Sequence, residues 1–492
     1  MSGTPSVESA DRTQSVGPRR KYLTGFLWTT VVGAVLLAGL RAWWGWEAER
    51  RLSQRVAAYR AAGQPVLSED FALPPISDEK NAAVALRQAS ALLGKLPDTP
   101  VPFSNLLVPD VQAQHRDFVA QFLHDQTEAL RLLRAARDCQ AARWGTVLAS
   151  PVIDVCLRDV GWQRDLAKLL MLTAIHRHQT ADDAEAVESI RDMLALARHV
   201  EDGEPFLMTH LVRVAIDALA TQAVEDICRD LRVAPAGVLP GDGSAPRQTV
   251  LALIAELLDE RSLQTGGQMA MYGERLLQLD CVQRLTAGQL GLLAATKSPS
   301  ALERVALLVM APAWKLDGLG MLERTTRLAE AIVADNWPDA QSKLPARQPA
   351  ASGPVAAVRL ISSVMEPSLD RAVLIHFRVR VERRLAATAL AIRLFEIDHG
   401  RRPSSLTALV PHFLAAVPSD PFATANTPVR YLPDTTSPRL YSVGSNGVDD
   451  GGAFGLKTNG AVDPEVLDQP FFLNGDRPRS QPIANGLPST SP

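Results

Sequence analysis

YLTGFLWTTVVGAVLLAGLRAWWGW, residues Tyr22 to Trp46, decides how the rest of the chain is read. It carries no charge from Tyr22 to Leu40, and an α-helix of about 20 residues crosses a hydrocarbon layer of roughly 30 Å. Arg19, Arg20 and Lys21 precede it, while Trp43, Trp44 and Trp46 follow where aromatic rings favour the headgroup level. Gly25, Gly33 and Gly39 weaken a helix in water, but lipid leaves the backbone no other way to satisfy its polar groups. A buried helix of a soluble domain is one competing reading, and the length and flanks oppose it. A cleavable signal peptide is the nearer competitor. Its apolar core is shorter, about 7–15 residues, and ends at small residues, whereas bulky tryptophans stand where cleavage would fall. The stretch is expected to be an uncleaved anchor that meets membrane lipid through residues 22–46. Arg50, Arg51 and Arg55 also follow it, so counting basic residues does not orient it. A short tail inside and a long domain outside is the simpler arrangement for a first helix.

The 492 residues leave room for two or three domains beyond this anchor. Net charge is −3, and no basic surplus points to nucleic acid, so that partner is not expected. Low aromatic content with abundant Ala, Leu and Arg favours helices over sheets. Cys139, Cys156, Cys228 and Cys281 form no CxxC pair, which argues against zinc. Pairing of Cys139 with Cys156 in an oxidising compartment and unpaired buried thiols both fit.

Residues 1–21 read as a disordered tail and 22–46 as the transmembrane anchor, with residues 47–335 as a helical domain. Within that domain, apolar spacing recurs in successive segments: Ala82–Leu93, a long one carrying Phe118, Phe122, Leu130 and Leu133, then Val160–His178, Ala181–Val200 and Phe206–Arg232. Short breaks make these helical hairpins. The pair joined by HQTADDAEA is similar to a tetratricopeptide hairpin, but no clean period repeats, so a solenoid-like stack stays open. Ala234–Gln248 reads as a loop between subdomains. Pro312 and the DGLG run at Asp317–Gly320 are expected to split Ala301–Val333 into two helices. Residues 336–367, with WPDAQSKLPARQPAASGP, read as a linker, 368–473 as a small α+β module, and 474–492 as a second disordered tail.

In the last module, Ser368–His399 spells a long helix with Val381, Leu385, Ala389, Ile392 and Phe395 on one stripe, capped by Gly400. Extended runs follow at Val429–Tyr431, Arg439–Val443 and Phe471–Leu473. In order, ALAIRLFEIDHGRRPSSLTALV, VPSDPF, VRYLPD and RLYSVGSNGVDDGG resemble the C-terminal domain of the major pseudopilin of bacterial type II secretion, over roughly Leu385 to Leu473. That resemblance implies a long helix packed on a small antiparallel sheet, and a Ca²⁺ ion held by Asn446, Asp449, Asp450 and Asp463. Oxygen-rich Asp/Asn loops with glycine suit calcium chemically; an Asx turn without metal fits the same letters. The chain departs from the family at Thr30, where a glutamate follows the cleavage site, and in the length inserted between anchor and module. The full layout resembles large uncharacterised bacterial membrane-anchored helical proteins, with PPISDEKNAA and YSVGSNGVDDGG as shared landmarks. Together these imply a single-pass protein of the bacterial inner membrane with its bulk in the periplasm.

No HExxH, GxSxG, Walker A or dinucleotide-binding glycine pattern occurs. His176 and His178 stand two apart and point away from each other on a helix, so they read as surface residues near Asp182 and Asp183. His399 reads as a helix-end cap, and Glu366 with Asp370 as a carboxylate pair on one helical side. The chain is thus expected to be mainly α and not an enzyme, with no catalytic residue, no small-molecule substrate and envelope proteins as partners of its helical domain. The alternative is a cell-envelope hydrolase with a site between that domain and the C-terminal module.

Overall fold

The computed structural model describes residues 18–94, 101–156, 161–235, 237–238, 241–289, 301–345, 358–359, 362, 369–424, 426–433 and 435–479. The tails expected over 1–21 and 474–492 lie outside these up to residue 17 and from residue 480. Tyr22–Trp46 falls within one helix, α1 (Pro18–Ala61). Among the described residues it is the one helix long and apolar enough to cross a membrane. Its first half touches almost nothing, with Trp28 70% and Leu37 69% exposed. Leu52 and Tyr59, further along, are buried with Val66, Leu279 and Leu322. Water disfavours such a bare apolar rod, and lipid does not.

Beyond α1 come α2 (Ala82–Leu93), α3 (Pro109–Gln114), α4 (Arg116–Asp125), α5 (Thr127–Arg137) and α6 (Val152–Cys156). The long segment expected around Phe118–Leu133 is two helices, interrupted at Gln126. Three longer helices form hairpins: α7 (Gly161–Gln179), α8 (Asp183–Glu201) and α9 (Leu207–Ile227). Asp182 caps α8 by accepting the Glu185 N–H at 3.3 Å, and the acids behind it complement the helix dipole. After α10 (Arg247–Leu258), α11 (Arg261–Thr286) pairs with α12 (Ala301–Ile332).

The break expected at Pro312 is absent, since α12 continues through it. Proline lacks the N–H that would bond the Leu308 carbonyl one turn earlier. The Arg41 guanidinium of α1 donates to that carbonyl instead. Gly45 leaves room for the arginine, because a Cβ there would lie 2.8 Å from Arg41 Nη1. Arg41→Leu is expected to destabilise the detergent-solubilised chain by about 1–3 kcal/mol. Adding Pro312→Ala restores the helical N–H and should recover most of that loss. An unchanged melting temperature in the single variant would remove this account.

The linker expected over 336–367 is corrected at its start. Asn336 accepts the Asp339 N–H at 2.9 Å and caps α13 (Trp337–Lys343), with Pro338 suited to the first turn. The Trp337 ring is buried against Phe377 and Phe422, with centroids 5.5 and 6.0 Å away, so one aromatic anchors the segment. Residues 346–357 lie outside the described set.

The long helix α14 (Leu369–His399) is buried on several faces and packs against α9, α10 and α12. A single hydrophobic core runs from Ala82 to Leu473 and includes both the hairpins and this helix. The sheet at its far end comprises β1 (Arg430–Leu432), β2 (Arg439–Ser442) and, after a separate hairpin of β3 (Phe454–Leu456) and β4 (Val462–Leu467), β5 (Gln469–Phe472). Order is β1-β2-β5, antiparallel, with Leu440 opposite both Tyr431 and Phe471. The β3–β4 hairpin was not among the extended runs expected from sequence. Past β5, Arg477 donates to Glu225 at 2.8 Å and Arg479 pairs with Asp226, both acids on α9. The described part of the expected C-terminal tail is therefore fastened to the body.

Candidate functional site

Along its first half, helix α9 carries a buried stripe of His210, Arg213 and Asp217, spaced three and four apart and hence on one face. Helix α14 repeats the device with His376, Arg380 and Arg383. The packing of α9 on α14 brings the two stripes together, and the end of α8 adds Glu201. His210 Nδ1 lies 2.5 Å from Glu201 Oε1, and Arg213 Nη1 donates to Glu201 Oε2 at 2.6 Å. His210 Nε2 meets His376 Nδ1 at 3.2 Å, with the rings stacked at 5.3 Å. Arg383 Nη1 donates to Asp217 Oδ1 at 2.6 Å. A neighbouring cluster pairs Arg380 with Glu260 at 2.7 Å and Arg384 with the same carboxylate at 2.6 Å.

All these groups except Arg384 are almost completely buried, so each charge needs its partner. Burial pushes the Glu201 carboxyl up, but His210 and Arg213 outweigh it and hold it below its ordinary value. Glu260 is held down in the same way, against burial, by Arg380 and Arg384. Burial, with His210 and the arginines adding to it, lowers His376 well below the usual imidazole range, so that ring is neutral. Its Nε2 has no hydrogen-bond partner.

Glycine in α11 makes the approach possible. A Cβ on Gly266 would lie 2.0 Å from the Glu201 carboxylate, and one on Gly267 3.1 Å from the His210 ring. Further along, a Cβ on Gly273 would overlap the Pro205 carbonyl oxygen at 1.4 Å. Glycine is unfavourable inside a helix, so three of them in TGGQMAMYG mark a face that neighbouring groups approach closely, side chains at Gly266 and Gly267 and backbone at Gly273.

Above Glu201 opens a recess of about 750 Å³, lined by Gln64, Phe71, Arg198, Arg213, Ser262 and Met269 among others. A second recess of about 590 Å³ lies across the strip Phe71–Leu73 and includes Arg143, Trp144 and Val147. Both carboxylate oxygens of Glu201 are engaged, and the Ser262 hydroxyl accepts from Arg213 Nη2 at 2.9 Å. Burial pushes the Cys228 and Cys281 thiols up to about 12 and 11, so neither is a thiolate nucleophile.

Glu274 on α11 is buried, with the Leu207 backbone N–H as its donor, and burial pushes its carboxyl up to about 7. Asp226 reaches about 7 as well, because burial outweighs the pull of Arg479. A carboxyl that holds its proton more tightly when folded adds stability at low pH, and this is lost as pH rises through the folded value. These two carboxyls are expected to cost stability as pH rises from about 4.5 to about 7. Glu274→Gln should flatten that slope in melting curves taken across the range; an unaltered slope would count against it.

The calcium residues expected from sequence are only partly gathered. Asn446, Asp449 and Asp450 share the turn after β2, where Asn446 Nδ2 donates to Asp450 at 3.2 Å. Asp449 accepts from Arg430 Nε at 2.7 Å and from the Tyr441 hydroxyl at 3.2 Å. Asp463 is on β4 and accepts the Glu465 N–H at 3.1 Å instead. Asp468, not singled out from sequence, does more to order the turn by accepting the Gly452 N–H at 2.7 Å. No group of three or more His, Cys, Asp or Glu able to hold a metal occurs among the described residues.

His178 pairs with Asp183 at 2.5 Å, but His176 is buried, a correction to its surface reading. His399 Nδ1 lies 2.9 Å from the Phe395 carbonyl, in keeping with a helix-end role. Asp370 bonds Arg324 at 2.9 Å, and Glu366 lies outside the described residues. Cys139 is a free thiol, and the side chain of Cys156 lies outside the described set. The buried stripes on α9 and α14 escaped the sequence reading. Their signal was polar residues at helical spacing on helices that also carry long apolar runs. No family model matches the chain, and neither a curated protein nor a solved structure is found to match it.

Proposed function

We propose that this is a single-pass protein of the bacterial inner membrane whose body, in the periplasm, binds another envelope protein. The observation that carries the reading is α1, bare and apolar over its first half and packed into the body over its second. About 14 residues of helix separate Trp46 from Arg60 at the recess, roughly 21 Å at 1.5 Å per residue. The two adjoining recesses are thus held clear of the headgroups, within reach of a protein segment. The C-terminal resemblance supports a place beside type II secretion machinery. Calcium at Asn446, Asp449 and Asp450 would have to displace Arg430 from Asp449. An isothermal titration without calcium heat removes the ion from this reading.

The test is photo-crosslinking in intact cells from Met269 and Val147, exposed residues of the two recesses. One recurrent envelope protein is expected at both; lipid alone, or nothing, would sink the proposal. Release of the chain from membranes by carbonate would remove the anchor. One observation favours the hydrolase alternative, the His210–His376 contact joining α9 to the C-terminal helix beneath the recess. Turnover that vanishes in Glu201→Gln while the cross-link persists would establish that alternative.

A further inference from the structure

Leu308 and Val309 on α12 form a second exposed apolar patch. Leu308 is 65% and Val309 51% exposed, values matched by the lipid-facing residues of α1. The register between the two helices fixes their height. Arg41 bonds Leu308, Gly45 faces Pro312, Glu49 meets Lys315 at 2.5 Å and Arg55 meets Glu323 at 2.7 Å. Both numbers rise together, so α12 runs parallel to α1, and its first residues point back toward the anchor.

Arg41 is the first charge after the uncharged run and marks the edge of the hydrocarbon layer. Leu308 is therefore at that edge. From Leu308 down to Ala301 the helix covers about 10 Å, the depth at which interfacial helices sit. Glu303 and Arg304 in those turns oppose passage to the bilayer centre.

We propose that α12 enters the headgroup and upper acyl region of the leaflet nearest the helical body at Leu308 and Val309. The protein then meets the membrane at two places, one spanning and one lying within a single leaflet. The Arg41–Leu308 bond ties the two together, and the body is held at a set tilt instead of swivelling on one rod. This rests on the anchor reading of α1, and the occupant of the face is lipid because the face continues the lipid-facing surface of that helix.

The test places the fluorescent residue dansylalanine singly at Leu36, Leu308, Val309 and Val448 of the full chain, in phosphatidylcholine vesicles containing lipid brominated high on the acyl chain. Quenching at Leu308 and Val309 is expected to reach at least about half that at Leu36, with almost none at the aqueous control Val448. Quenching at Leu36 alone overturns the proposal and leaves the anchor standing, and is the result if a second copy or another protein covers this face. Absence of quenching at Leu36 overturns the anchor and this proposal together. Arg41→Leu, which unties α12, should reduce quenching at Leu308 and leave Leu36 unchanged; equal quenching at Leu308 in both chains would overturn the tethering role of Arg41.

Discussion

Gly273→Ala is expected to lower the melting temperature of the solubilised chain by roughly 5 °C or more, a loss above about 3 kcal/mol. The added methyl would sit 1.4 Å from the Pro205 carbonyl oxygen, a backbone atom that cannot rotate away. Relief requires α11 to withdraw from the α8–α9 turn, which also pulls Gly266 from Glu201 and Gly267 from His210. Gly320→Ala supplies the opposite sign on the partner helix. Nothing lies within 4 Å of a Cβ there, and alanine in a helix interior is favoured by about 1 kcal/mol over glycine. The contrast separates close approach from helix propensity. A Gly273→Ala chain that melts with the parent would show that α11 and Pro205 are not in contact.

The second large effect is expected at Arg383. Its guanidinium donates to Asp217 and to the carbonyls of Leu257, Glu256 and Asp259, closing the end of α10 against α14. Arg383→Met removes all of these and leaves Asp217 buried beside Arg213 alone. Breaking one side of such a pair costs about 3–5 kcal/mol. Adding Asp217→Leu should return part of that loss, because no charge is then stranded. Denaturant unfolding of the two variants measures the difference. A double variant as unstable as the sum of its parts would mean that the two side chains act independently.

The long apolar helix was legible because hydrophobic transfer is local: Tyr22–Leu40 announces itself without reference to any other residue. The hairpin helices and the strands at Arg430 and Arg439 were legible for the same reason, through short-range periodicity and turn residues. What escaped depends on distant partners. Pro312 ends a helix unless something else takes the Leu308 carbonyl, and that something is Arg41, far away in sequence. WPDAQSK looks like a linker until Trp337 finds Phe377 and Phe422. His210, Arg213 and Asp217 have the spacing of an ordinary wet face, and only the facing stripe on α14 shows why they are dry. The glycines of α11 did carry a local warning, since their cost to the helix calls for a reason. The site was therefore readable in its parts and not in its assembly.

Arg477 and Arg479 have a bearing on biogenesis. Their partners Glu225 and Asp226 are made some 250 residues earlier, so α9 emerges from the ribosome with two acids whose counter-charges do not yet exist. The body can be closed only when nearly the whole polypeptide has been made. A chain cut short before this clasp would present α9 half-finished to the proteases of its compartment.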